Sequence, residues 1–514
     1  MCGIASIIYP DQLGETNIKK MLNRIKHRGD IEPNFESFGN SILGMVRLRI
    51  VDQENGKQPF YNEDNTVGVV FNGEIYNYKT LRHELILKSH KFHTDCDTEI
   101  LVHLYEEYGK SFLLKLQGMF AFLIFDTRNN SFWAVRDFYG VKPLFWTKCN
   151  GTFYIASELK AFLDISVNEY FELSPGCYLT EKGITKYYDL PKPKWINQPI
   201  SEVSCKVKYL VEDAVRKRVA TDLPIAVFMG GGIDSAIVNI LACEYHNDVT
   251  SIIIGSEQSE DVIYAKRLCK DFNLKYHYVP IDNDELIKSI SEVIYATETF
   301  EPNPIRGSIL SILLAKHAHD LGFKIVICGE GSDEIFGGYG DFLDISDENS
   351  FHNLIVEYLS DLYRTQLLRI DRTGMHYAVE VREPFLDREL VEYVLNILPS
   401  YKVAKNAVGI KTTKFILREA FKDILPDYIY NREKMTLMEG AGTGEVNNNK
   451  GILFQNAEQK VTDTELLQIL EKYSEFNLLN KEDVINFRFF KNHYLKAKFS
   501  KKRVKNAQTE IVKP

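Results

Sequence analysis

The sequence predicts a two-domain α/β protein whose second domain is built on a doubly wound parallel sheet, and three observations lead there. A chain of 514 residues exceeds what one hydrophobic core organises. Pro191, Pro193 and Pro199 cluster between the strand-like ITKYYDL and a helical pattern opening near Glu202, which marks a linker over 191–204. Beyond it, β-branched apolar runs alternate with helical patterns, as parallel strands joined by crossover helices require.

Composition sets the class. Hydrophobic content of 45% with 26% charged residues reads as globular and water-soluble, and a net charge of -9 leaves no basic footprint for nucleic acid. The locally basic stretch Lys491 to Lys505 reads as a solvated terminus. No apolar run is long enough to span a bilayer, and MCGIASIIYP lacks a basic n-region and a long apolar h-region, so no membrane partner and a cytoplasmic location are expected. Eight cysteines without a CxxC pair fit reduced thiols, and neither a disulfide framework nor a cysteine zinc site.

Among those cysteines Cys2 stands apart. Removal of Met1, favoured by a small second residue, leaves a thiol and a free α-amine on one residue, a nucleophile carrying its own base. Downstream, Arg47-Leu48-Arg49-Ile50-Val51-Asp52 precedes the strand candidate VGVVFNGEIYN (Val67 to Asn77), in which Asn72-Gly73 ends the β-branched run. DCDTEILVHLY then starts a helix at Asp97. A guanidinium and a carboxylate suit the two charges of an amino-acid backbone, carboxylate to Arg47 and ammonium to Asp97, while the Asn72 amide and Gly73 N–H suit an oxyanion hole. Taken singly, Asn72-Gly73 is more often a hairpin turn and Asp97 a helix cap.

In the second half, IAVFMGGGIDS (Ile225 to Ser235) reads as strand, glycine loop and helix start, with Ile233, Ile237, Ile240 and Leu241 at helical spacing. Gly230, Gly231 and Gly232 either serve a tight turn or let backbone N–H groups close around a phosphate at a helix N-terminus. Asp234 beside such a cradle implies Mg²⁺ between carboxylate and phosphate. Strands are expected to end at Ile254, Ile281 and Ile327, with helices over Asp261 to Phe272, Asp284 to Ala296 and Ser308 to Leu321. CGEGSDEIFGGY (Cys328 to Tyr339) follows the last strand and adds Glu330 and Asp333 at a carboxyl strand end, where open parallel sheets hold ligands. No GxxxxGK[ST] sequence occurs, which argues against γ-phosphate hydrolysis. Beyond Tyr339 the chain reads as mainly helical, with VREPFLD, KTTKFILREAF and NREKM as recognisable pieces.

The first 190 residues, through MCGI, HRGD (His27 to Asp30), LQGMFAFLIFD, RDFYGVKPLF and ASELKA, resemble the class II glutamine amidotransferase domains. That likeness implies a four-layer α/β/β/α N-terminal-nucleophile (Ntn-hydrolase) sandwich. The paired glycine and acid motifs resemble the PP-loop ATP pyrophosphatases, implying a synthetase domain over 205–442. In this order the halves resemble the glutamine-hydrolysing asparagine synthetases, leaving 443–514 as a helical or flexible extension with NNNK as a loop. The resemblance implies Cys2 as nucleophile, Asn72 and Gly73 as oxyanion stabilisers, and Arg47, Leu48, Arg49, Ile50, Val51, Glu74 and Asp97 as glutamine binders. It assigns ATP to Met229, Gly230, Gly231, Gly232, Asp234, Ser235, Ile254, Cys328, Gly329 and Lys414. Pyrophosphate and Mg²⁺ fall to Asp234 and Asp333, adenylate formation to Glu330, and the acceptor pocket to Glu298 and Arg306. The implied reaction turns aspartate into asparagine with ATP and with ammonia from glutamine, through β-aspartyl-AMP. A homodimer is compatible with it.

HRGD lacks the usual proline before the acid, Gly230 and Cys328 stand where the family has serine, and Asn303-Pro304 replaces Thr-Thr ahead of Ile305-Arg306. Proline offers neither a hydroxyl nor an N–H, so contacts made there by the family's substrates cannot be reproduced identically. Two alternatives follow: the same mechanism on another carboxylic acid, or a glutaminase fused to an inactive synthetase-like binding module. Lost hydroxyls motivate the second; Asp234, Asp333 and Glu330 oppose it.

Overall fold

Strand Gly3–Ile8 lies inside the first of two antiparallel sheets, whose order is Phe171–Glu172, Phe145–Cys149, Thr152–Ala156, Gly3–Ile8, Ser41–Val46 and Asn34–Phe38. Its apolar run is continuous because both faces are covered. Ile4 and Ile8 meet Val70, Leu123 and Phe125 of the second sheet, while Ala5 and Ile7 meet Ile18, Met21 and Leu22 of helix Gly14–Arg24. The second sheet runs Gly183–Lys186, Cys177–Thr180, Ser131–Arg136, Gly118–Asp126, Val67–Ile75 and Phe60–Tyr61, and its outer face carries helices Tyr78–Leu87 and Ile100–Tyr108. This is the expected α/β/β/α sandwich. The structure is a computed structural model describing residues 2–167, 169–405, 409, 411–441, 443 and 451–494. NNNK and the basic stretch from residue 495 onward lie outside the described residues.

Two local expectations shift. Strand Val67–Ile75 pairs with Gly118–Asp126 from Val67↔Asp126 to Ile75↔Gly118, so Asn72-Gly73 sits inside a ladder rather than ending it at a turn. Helix Ile200–Arg218 begins straight after Pro199, so 200–204 of the expected linker are helical; proline suits a helix entry because no intrahelical N–H bond is lost there.

The third sheet is parallel throughout, in the order Tyr276–Pro280, Val249–Gly255, Ile225–Phe228, Ile325–Ile327, Glu380–Arg382. Winding outward one way from Ile225–Phe228 and then the other way from Ile325–Ile327 opens a crevice between the carboxyl ends of those two neighbours. Glu380–Arg382 has no clear sequence signal, since only Val381 of its residues is apolar and both charged side chains are nevertheless buried.

Helix Pro302–Asp320 starts six residues before the expected Ser308 and takes Asn303-Pro304 into its first turn. First-turn N–H groups have no intrahelical acceptor, so Pro302 and Pro304 do not break it. The stretch set apart as an extension packs into this domain: helices Ile452–Lys460, Asp463–Lys472 and Lys481–Tyr494 follow, and Phe490 and Tyr494 share a core with Val293, Ile294 and Ile309. No helix among the described residues is long and apolar enough to cross a membrane.

Candidate active sites

Cys2 enters the first sheet at the amino end of Gly3–Ile8, facing the inter-sheet core, which places it against Asn72 of the second sheet. Its backbone nitrogen, the α-amine once Met1 is removed, donates to Asn72 Oδ1 at 3.0 Å, and Arg28 Nε donates to its carbonyl oxygen at 3.0 Å. Burial pushes the Cys2 thiol up, against the Leu48 N–H and the Arg47 guanidinium, which favour the thiolate. A thiol held neutral at rest needs a base during attack.

The first bond fixes the Asn72 amide so that Nδ2 faces the other way, buried and without a hydrogen-bond partner among the described residues. An orphaned buried donor is costly and fits an oxyanion site filled only during reaction. Gly73 has φ +155, and a Cβ there would lie 2.1 Å from the Met119 carbonyl oxygen, so only glycine allows this approach.

Arg47 is buried with its guanidinium donating to the carbonyls of Val51, Asp52 and Gln53 at 3.2, 2.6 and 3.2 Å. Leu48 and Ile50 are buried beside it, whereas Arg49 turns to Asp30 at 3.1 Å. Asp97 does not cap a helix, for its Oδ2 accepts from the Ile75 N–H at 3.0 Å. Burial raises the Asp97 carboxyl to about 6 and the Glu74 carboxyl to about 8, with Glu380 nearby adding to both. Glu74 pairs with Arg382 of the parallel sheet at 3.2 Å, so this site touches the second domain directly.

At the crevice of the parallel sheet lies a cavity of about 900 Å³. Met229, Gly230, Gly232, Asp234, Ser235 and Ile254 line one side, and Cys328, Gly329, Glu330 and Asp333 another. Helix Ile233–Tyr245 starts at Gly232 with no side-chain cap, leaving its first N–H groups toward the cavity. Gly231 backs onto Arg432, and a Cβ on Gly329 would meet Asp234 Cβ at 2.9 Å, so the two acid loops are in contact. The Ser235 hydroxyl turns back to the carbonyls of Gly230 and Gly232 at 2.9 and 3.1 Å.

Lys414, buried and at φ +54, joins the two acids: its Nζ lies 2.6 Å from Asp234 and 2.8 Å from Asp333. Ser332 donates to Asp234 at 2.6 Å, and Lys434 pairs with Asp333 at 2.6 Å. Burial opposes ionisation of Asp333, but Lys414 and Lys434 hold its carboxyl down at about 2. Glu330 is gripped by Arg369 at 2.5 Å. Lys434 within NREKM and Ser332 within CGEGSDE carry no signal that sets them apart from their neighbours, and Arg369, on helix Gln366–His376, has no local signal at all.

Models of two families match the chain: "Glutamine amidotransferase domain" over 1–191 and "Asparagine synthase" over 206–355 and 343–508. The glutamine-hydrolysing asparagine synthetase 3 of Arabidopsis thaliana is 33% identical over 506 residues, covering 94% of this chain and 86% of the relative. The chain belongs to the glutamine-hydrolysing asparagine synthetase family. The Sandersonia aurantiaca enzyme of that name is 35% identical over 467 residues, covering 86% of this chain and 87% of its own. A solved glutamine phosphoribosylpyrophosphate amidotransferase from B. subtilis overlaps at 19% identity with a TM-score of 0.32, covering 50% of this chain and 67% of that one, too loosely to bear on the site.

Within the asparagine synthetase frame, the two residues expected in the acceptor pocket part company. Arg306 lines the cavity beside Asn303 and Pro304 and is held by Glu482 of the C-terminal helix at 2.9 and 2.6 Å. Glu298 is not among the lining residues: its carboxylate accepts from the Leu159 and Lys160 N–H groups at 3.0 and 2.7 Å and lies 3.4 Å from Arg372. It is therefore part of the join between domains. That join is a buried ionic network in which Arg28 bridges Glu158 at 2.6 Å and Asp371 at 2.9 Å. Arg28 thus reaches from the Cys2 carbonyl to helix Gln366–His376, whose Arg369 holds Glu330.

Proposed function

We propose that the chain makes asparagine from aspartate, taking ammonia from glutamine at Cys2 and activating the β-carboxylate with ATP in the 900 Å³ cavity. The observation that carries this reading is the shared grip of Lys414 on Asp234 and Asp333, which come from loops after two neighbouring parallel strands. At the first site the Cys2 sulfur attacks the glutamine amide carbon, the α-amine takes the thiol proton, and Asn72 Nδ2 with the Gly73 N–H receives the oxyanion. Collapse releases ammonia as the α-ammonium returns that proton to the leaving nitrogen, and water, giving its proton to the α-amine, then cleaves the thioester to glutamate and restores the thiol. Asp97 as the anion receives the substrate ammonium, and Arg47 the carboxylate.

At the second site the N-terminus of helix Ile233–Tyr245 and Lys414 draw the ATP phosphates, and the aspartate carboxylate displaces pyrophosphate from the α-phosphorus to give β-aspartyl-AMP. Ammonia then displaces AMP; Glu330, kept in place by Arg369, faces this step from the cavity wall. Asp234 and Asp333 would hold Mg²⁺. Carboxylate oxygens are the donors that hard ion selects, and Asp333 Oδ1 is buried with no aligned hydrogen bond among the described residues, its charge met by the Lys414 ammonium at 2.8 Å. The ion, when bound, supplies neutralisation of phosphate charge.

Asn303 and Pro304 in the cavity wall favour a second reading, another carboxylic acid as acceptor. Pyrophosphate release measured with ATP, ammonium and aspartate, against glutamate and larger β-carboxy acids, separates the two. Turnover of another acid with none of aspartate overturns the first.

A further inference from the structure

On the outer face of the amidotransferase domain, away from both sites, Glu63, His90, His103 and Glu106 bring one ligand atom each to within 4.8 Å of one another. They come from three segments: the turn before strand Val67–Ile75, the loop after helix Tyr78–Leu87, and helix Ile100–Tyr108, which presents His103 and Glu106 one turn apart. We propose that they form a structural Zn²⁺ site that ties the helical layer to the edge of the second sheet.

Two independent observations point to a ligand. His103 is 1% exposed, yet neither ring nitrogen has a hydrogen-bond partner among the described residues, an arrangement a buried imidazole avoids unless something else fills the place. Its Nδ1 lies 3.3 Å from Glu63 Oε2 without hydrogen-bond alignment, and His90 Nδ1 lies 3.3 Å from Glu63 Oε1. A tetrahedron with metal bonds of about 2.05 Å has edges of about 3.3 Å, which the His103 Nδ1 to Glu63 Oε2 separation matches, whereas His90 Nδ1 is hydrogen-bonded to the other oxygen of that carboxylate.

The carboxylates are also oriented from behind, as metal ligands usually are. The Lys91 N–H donates to Glu63 Oε1 at 2.9 Å, and Asn62 Nδ2 and Arg128 Nη1 donate to Glu106 Oε1, each at 2.9 Å. Cations facing the same cleft are already balanced, Lys88 by Glu107 at 2.6 Å and Arg128 by Asp126 at 3.0 Å. Two imidazoles and two carboxylates without a thiolate suit Zn²⁺.

The test uses the full-length protein stripped with chelator, titrated with Zn²⁺ alone and separately with Co²⁺ as a coloured substitute. One equivalent of Zn²⁺ should bind and raise the melting temperature, and Co²⁺ should give visible bands without thiolate charge transfer. His90→Ala and Glu106→Gln, both partly exposed positions, should each weaken binding at least about 100-fold. His103→Gln tests the buried ligand, and the other two variants decide the matter if it does not fold. Absence of binding, retention of wild-type affinity in both exposed variants, or a thiolate band overturns the proposal.

Discussion

Asp371→Asn should loosen the join between the two active sites while sparing both sets of catalytic groups. Asp371 is 3% exposed and accepts from Arg28 Nη1 and Nη2 at 2.9 and 3.2 Å, with Arg372 at 3.2 Å and Lys142 at 3.7 Å. Asparagine keeps the shape but removes the charge, so Lys142 loses the acid beside it, while Arg28 keeps Glu158 and Arg372 keeps Glu298. Removing one partner of a buried pair costs about 3–5 kcal/mol. For a domain of this size each kcal/mol lowers the melting temperature by about 2–4 °C, so a fall of about 6–20 °C is expected. Although burial opposes it, Arg28 and Lys142 hold the Asp371 carboxyl below the usual range. Its stabilisation is present above the unfolded carboxylate pKa and is lost as pH falls through the folded value, so variant and parent should converge in acid. Because Arg28 also holds the Cys2 carbonyl and the Asp371 helix carries Arg369, loss of the bridge should let ammonia escape. Calorimetry near neutral pH gives the first readout, and glutamate formed per pyrophosphate released gives the second. The parent ratio should lie near one and the variant well above it, with glutaminase turnover retained. An unchanged melting temperature together with an unchanged ratio refutes the reasoning.

Cys2→Ala should abolish glutamine hydrolysis while ammonia-driven pyrophosphate release continues, since the cavity needs only the ammonia; loss of both in a folded protein contradicts the two-site reading. Asp333→Asn should stop pyrophosphate release and spare glutaminase turnover, and an unchanged Mg²⁺ dependence would remove Asp333 from the phosphate site. Glutaminase kcat/KM should fall as pH drops below about 6, because burial raises the Asp97 carboxyl to that value and only the anion receives an ammonium. The same shift favours the folded state below the unfolded carboxylate pKa, and that stabilisation is lost as pH rises through about 6. A pH profile flat down to 5 would remove Asp97 from that role. Asn303→Thr with Pro304→Thr should change the aspartate KM little if aspartate is the native acceptor; a gain of aspartate activity with loss of another acid's marks the second reading.

Much of this protein is legible from residue order alone, because the signals are local. Alternating β-branched runs announced the parallel sheet, and glycine and acid motifs at strand ends announced the crevice they line. Cys2 and Asn72-Gly73 stand out in the sequence by residue type, one beside the amino terminus and one an asparagine-glycine pair, and the fold brings them into hydrogen-bond contact. Tertiary structure decided what depends on partners far apart in the chain. Glu298, read as part of the acceptor pocket, spends its carboxylate on the Leu159 and Lys160 N–H groups of the other domain. Glu380–Arg382 became a strand because Ile325–Ile327 pairs with it, although two of its three residues are charged. Asn303-Pro304 entered a helix because first-turn N–H groups need no intrahelical partner, and the C-terminal helices joined the second domain because Phe490 and Tyr494 found Val293 and Ile309 to cover. A charge or a ring advertises that it must be matched, but its position in the chain does not say by which distant group; only folding brings the candidates within reach.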